Sequence, residues 1–241
     1  MHNQLRDAEV ERQLETWAAS HSGDLSPGLA PEVARKVRDM LPSSLDRVKP
    51  LPSQGRLVSA FFGVFTFFAL ALMAVMDKSG FRLMTGTQMA GMAIVLAGSG
   101  ILFSLVLAAR MVPGSRPDLP VPVVLALFGL GAIGALAFLF PWRIAEAFVS
   151  EGWPCALMEL AVVAPATVVF YFVARRGALF AEAGLGAALS GLAAVLALLV
   201  LQFRCMFQQA PHLLVWHGLT AAIAIGLGAL LGRWLGNRWI S

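Results

Sequence analysis

Two cysteines, two neighbouring histidines and one glutamate set among apolar residues are the side chains here that could do chemistry. Cys155 and Cys205 are the only cysteines. Thiolates act as nucleophiles, redox centres and ligands for soft or borderline metals. No Cys-x-x-Cys pair is present, so a thioredoxin-type or quinone-coupled exchange centre is poorly supported. His212 follows Cys205 closely, which makes Cys155, Cys205 and His212 a candidate three-ligand site for a soft metal ion. Arg204, beside Cys205, is expected to lower that thiol's pKa and favour the thiolate. His217 lies five positions after His212, about 140° away around an α-helix, so the two are not expected to share a ligand face. Glu159 sits about one turn past Cys155, where a carboxylate is costly and often functional. It is expected to be hydrated or paired with Arg143 or Arg204, and Gln88, Gln202 and His217 are its few candidate partners in a proton or cation path. Three readings of the cysteines stay open: a static disulfide, a sensor oxidised or metallated by an external stress, and two unrelated buried thiols.

The elements that must position these groups are membrane spans. Hydrophobic residues make up 58% of the chain and charged residues 13%, against about 25% charged in a soluble domain. Half of the Lys, Arg, Asp and Glu residues fall in the first 56 positions, in equal numbers of each sign. Six apolar runs follow, at 57–76, 87–109, 121–140, 154–174, 183–203 and 212–232, each near the roughly 20 residues a helix needs to cross a bilayer. The runs are continuously apolar rather than alternating, which excludes a barrel. The expected fold is all-α: a six-helix transmembrane bundle, 57–241, behind a short, partly helical N-terminal tail, 1–56. The N-terminus lacks the pattern of a signal peptide, so the first run is expected to serve as an uncleaved anchor. No nucleotide loop, acid–base pair or nucleophile–base pair is evident, so neither an enzyme nor an organic cofactor is expected.

Orientation follows the Lys and Arg residues of the short flanks. With the tail inside, nine lie on inner flanks and four on outer ones, placing both termini in the cytoplasm. Both cysteines then fall at outer helix ends, Cys155 opening the fourth span and Cys205 closing the fifth. The net charge of +4 resides in the loops and is no clustered basic face, so direct nucleic-acid binding is not expected. Gly184, Gly186 and Ser190, then Gly226, Gly228 and Gly232, mark close helix packing within the bundle or a homodimer face.

In the tail, Gln4–Ser20 can form a helix, and Pro31 can open a second one. Val33, Val37, Met40 and Leu41 recur at helical spacing, with Leu45 and Val48 continuing less regularly. This apolar stripe lies on membrane lipid or docks in a groove of a cytoplasmic protein; its modest basic character favours the protein. Pro50, Leu51 and Pro52 form a stiff connector into the first span.

The stretch Met40–Ser53 resembles the juxtamembrane signature of the NrsF family, negative regulators of sigma factor F, with Leu45, Asp46, Val48, Pro50, Leu51 and Pro52 matching it. Pro154-Cys155, Pro165, Arg175-Arg176-Gly177, the Gly-rich fifth span, Cys205 and Trp216 are similar as well, so the resemblance covers about residues 33–236. Arg204 stands where a His is common in that family, and the tail is longer than its minimum. The resemblance implies an anti-sigma factor of the bacterial inner membrane. Its tail would hold an extracytoplasmic-function sigma factor, and Cys155 and Cys205 would sense heavy-metal or oxidative stress and release it. The rival expectations are a small-molecule or ion transporter, or a membrane scaffold. A transporter would need repeats or midplane polar groups, and only the mild Thr66, Ser99, Thr167 and Thr220 are present.

Overall fold

The computed structural model describes residues 52–77, 79–112, 119–144, 146, 148–175 and 183–238, together with Arg12 and Thr16. The chain divides into two units, 1–50 and 51–241. In the first, Arg12 and Thr16 are helical, within the helix expected over Gln4–Ser20, and Thr16 Oγ1 donates to the Arg12 carbonyl at 2.7 Å. The partner-binding stripe Val33, Val37, Met40, Leu41, Leu45 and Val48 lies outside the described residues, as do Pro50 and Leu51 of the connector. Pro52 is described, exposed ahead of the first long helix.

Among the described residues all regular structure is helical, and six helices are long and apolar enough to cross a membrane. They are α1 (Gln54–Val75), α2 (Gly86–Met111), α3 (Val121–Leu139), α4 (Phe148–Ala174), α5 (Ala183–Arg204) and a composite α6 over 210–238. Outward faces carry Phe67, Leu70, Ile94, Leu130, Phe138 and Leu227, all more than half exposed or close to it, a surface suited to acyl chains. The midplane hydroxyls are spent locally. Thr66, Ser99, Thr167 and Thr220 each donate to the carbonyl four residues earlier, at 2.7–2.8 Å.

The bundle is built around α5, which packs against all five other long helices. Of its apolar window 78% is buried, against 17% for α1. Its sequence, rich in Ala, Gly and Ser, lets other backbones approach closely. Gly186 meets the Gly228 carbonyl, and Gly228 leaves room for the Ser190 side chain. Gly186, Ser190, Gly228 and Gly232 therefore face each other within one chain, while Gly184 lies against Arg110 and Gly226 has open space beside it.

Two span boundaries differ from expectation in an informative way. Pro154 favours the first turn of a helix, yet α4 begins earlier, at Phe148, and carries Pro154 inside it. Cys155 thus lies two turns into α4 instead of opening it. The sixth span begins as an α-turn, Ala210–His212, passes through a π-helical turn, Leu213–Gly218, and continues as α-helix from Leu219 to Arg238. The Leu219 amide donates back to the Leu214 carbonyl, five residues earlier.

Candidate functional site

The connections after α1, α3 and α5 meet at one end of the bundle. The Ala210 amide donates to the Pro141 carbonyl at 3.0 Å. Gln88 closes a capping box with Thr85 at the start of α2 and donates from Nε2 to the Leu139 carbonyl at 2.8 Å, tying α2 to the end of α3. Gln88 is thus a cap and not a partner of Glu159.

The C-terminus of α5, which carries Cys205, is held from two sides. The last carbonyls of a helix lack intrahelical donors. Here Gln208 Nε2 donates to the carbonyls of Cys205 (2.6 Å) and Gln202 (3.2 Å), and Ser79 Oγ donates to that of Arg204 (2.9 Å). Gln202 Nε2 answers by donating to Gln208 Oε1 at 2.8 Å. Ser79 and Gly80 belong to the α1–α2 connection, whose 3₁₀ turn, Gly80–Leu83, lies directly on the end of α5.

Against this end four ligand-type side chains converge. One ligating atom from each of Cys155, Cys205, His212 and His217 lies within 4.8 Å of all the others. Cys205 Sγ is 3.5 Å from His212 Nε2, and the two imidazole centroids are 5.5 Å apart. Cys205, His212 and His217 are buried, at 5%, 2% and 4% exposure, while Cys155 is half-buried. Both cysteines are free thiols. Phe148 and Phe207 pack on the His212 ring, at centroid distances of 6.4 and 5.3 Å, and shield it from water. Trp216 covers the next turn of α4, stacked where any side chain at Gly152 would lie.

The three residues expected to form a metal site, Cys155, Cys205 and His212, are therefore together, and a fourth joins them. His217 was set aside on α-helical geometry, but the π-turn alters that geometry. Its i to i−5 hydrogen bonding brings residues five apart nearly one above the other, so His212 and His217 share a face. Only a π-turn makes this spacing productive, and no residue in Leu213–Gly218 announces one.

Glu159 departs from the expected hydration or pairing with arginine and instead meets His217, one of its candidate partners. Arg143 and Arg204 are exposed. Glu159 is completely buried, with Oε2 3.4 Å from His217 Nδ1. Neither carboxylate oxygen has a hydrogen-bond partner, and neither has His217 Nε2. Arg204 does not set the state of Cys205. Hydrogen bonding with Cys155, and then burial, push that thiol well above its usual pKa. On the far side of His217, with Gln202, Leu136 and Phe128, lies a largely apolar cavity of about 600 Å³.

A family model described as NrsF, negative regulator of sigma F, matches residues 41–239. The chain belongs to the NrsF family. The matched stretch takes in all six long helices, both cysteines, His212, His217 and Glu159, and leaves residues 1–40 outside. No curated protein and no solved structure matches the chain. The NrsF description is that of an anti-sigma factor, a regulatory role with a sigma factor as partner.

Proposed function

We propose that this NrsF-family protein is a multi-pass protein of the bacterial inner membrane that holds an extracytoplasmic-function sigma factor inactive through residues 1–56. Both termini lie in the cytoplasm, and the Cys155–Cys205 end of the bundle faces outward. The stripe Val33, Val37, Met40, Leu41, Leu45 and Val48 forms the sigma-binding surface. Release follows a change at the two cysteines, either capture of a thiophilic metal ion or oxidation. In the latter, a Cys155–Cys205 bond forms as two electrons and two protons pass to an external oxidant.

The observation that carries this reading is the convergence of Cys155 and Cys205, fifty positions apart, in one cluster with two histidines. Two unrelated buried thiols would have no reason to meet. The cluster sits at the tip of the helix that contacts all the others, and beside the turn that leads back through α1 toward the tail. A signal at the thiols thereby has a contiguous set of contacts within the bundle to act on.

The test is co-purification of the tagged full-length chain with the host's sigma factors. One sigma factor is expected to be retained, lost on Val37→Asp, and released by an oxidant or a thiophilic ion. The Cys155→Ser/Cys205→Ser variant is expected to retain it and ignore the signal. Failure of the intact chain to retain any sigma factor would overturn the anti-sigma role. Normal release from the double variant would overturn the sensing role.

A further inference from the structure

We propose that Cys155, Cys205, His212 and His217 together hold one four-coordinate zinc-class ion, with Glu159 as the outer carboxylate that orients His217. This inference rests on the sensing site proposed above and adds a closed coordination sphere, a fourth ligand and a supporting residue.

The donor set is two thiols and two imidazoles, which selects a tetrahedral d10 ion such as Zn2+ over the oxygen-seeking Mg2+ and Ca2+. The spacing fits. Bonds of about 2.0–2.3 Å place the ligand atoms of a tetrahedral site about 3.3–3.8 Å apart. Cys205 Sγ and His212 Nε2 already stand at 3.5 Å, and the whole set lies within 4.8 Å, a gap that small side-chain rotations close.

The unpartnered atoms point the same way. A buried polar atom without a partner is costly, and His217 Nε2 is one such atom in the cluster. With Nδ1 turned to Glu159 at 3.4 Å, Nε2 is the nitrogen left to ligate. Ligating histidines commonly donate their other N–H to a carboxylate, which fixes tautomer and ring orientation. Glu159 is placed for that role and has no hydrogen-bonding partner elsewhere. A buried carboxylate and two thiolates also need a compensating positive charge, and the ion supplies it. Four protein ligands leave no open position, the hallmark of a non-catalytic site, and half-buried Cys155 provides the route of entry.

The test uses the full-length chain, purified metal-free and reduced in detergent, with Co2+ as probe. One Co2+ per chain is expected, with tetrahedral ligand-field absorption and thiolate-to-cobalt charge transfer, both bleached by one equivalent of Zn2+. Cys155→Ser should remove much of the charge-transfer intensity. His217→Ala should shift the ligand-field bands and lower affinity. Glu159→Gln, nearly isosteric, should keep the tetrahedral spectrum and weaken binding about 10–100-fold. Absence of binding by the folded wild-type chain, an octahedral spectrum, or affinity untouched by both His217→Ala and Glu159→Gln would overturn the inference. Sigma-factor capture, scored on the same preparations, separates the two claims. Capture without a metal site sinks this inference alone, and a metal site without capture sinks the anti-sigma role alone.

Discussion

Gly80 lies against the backbone of Cys205: a Cβ added at Gly80 would stand 2.9 Å from the Cys205 amide nitrogen and 2.9 Å from the Phe203 carbonyl oxygen. No side chain fits there without moving the α1–α2 connection off the end of α5. The contact joins the hairpin that continues into the tail to the residue that carries one of the two thiols.

Gly80→Ala is therefore expected to destabilise the bundle by about 1–3 kcal/mol, the usual cost of overpacking. It should also change the signal dose at which the sigma factor is released, while leaving Cys155 and Cys205 in place. Thermal unfolding in detergent and a release titration measure the two effects. A variant with wild-type stability would show that the turn yields freely and transmits nothing.

The two thiols should react in a fixed order. Cys155 is half-buried, whereas Cys205 is 5% exposed and its thiol pKa is raised by hydrogen bonding with Cys155 and by burial. A group whose pKa is raised offers less thiolate at neutral pH and gains reactivity only as pH rises. Maleimide labelling of the reduced chain at pH 7, followed by mass spectrometry, should find Cys155 modified first and Cys205 slower by an order of magnitude or more. Equal rates would mean that the cluster is open.

Two glycines of one helix should answer oppositely to the same substitution. Nothing lies within 4 Å of a Cβ at Gly226, while one at Gly228 meets Ser190 and the Gly186 carbonyl. Gly226→Ala is expected to be neutral or to stabilise, up to about 1 kcal/mol of helix propensity. Gly228→Ala should cost about 1–3 kcal/mol, because neighbouring backbone cannot retreat. Melting temperatures of the two variants give the comparison directly.

Deletion of Val215, a partly exposed residue of the π-turn, should let this stretch relax into regular α-helix. A π-turn amounts to one residue more than the α-helix needs. The contacts of Gly228 with α5 should survive, and His212 and His217, then four positions apart, should still share a face, about 40° apart. The variant should retain the sigma factor and most of its response to the signal. A lost response would show that the π-turn contributes more than the pairing of the two histidines.

The six long helices were legible because apolarity over twenty residues is a local property. Each boundary fell within a few residues of expectation except at Phe148, where Pro154 imitated a helix start, and at Arg238, where the last helix runs six residues past the expected end at 232. The meeting of Cys155, Cys205 and His212 could be suspected, since antiparallel spans bring their alternate ends together. His217 could not be placed, because the five-residue spacing from His212 means opposite things in α- and π-helix. Glu159 looked like a surface-seeking carboxylate beside two arginines; His217 was among its candidate partners, but the burial of the pair is a tertiary fact. The contact between Cys205 and the connection that follows α1 is made by a glycine, Gly80, which has no chemistry to attract notice.

The order in which the chain is made gives the cluster a further property. Its ligands come from α4, from the end of α5, and from the first turns of α6. The tail and α1 emerge from the ribosome first, and the two histidines are among the last parts to enter the bundle. A nascent chain, or one truncated just after Cys205, carries both cysteines and neither imidazole of the cluster. On the proposed function, the capacity to hold a partner is complete early in biogenesis, and the capacity to let go arrives only with the final helix.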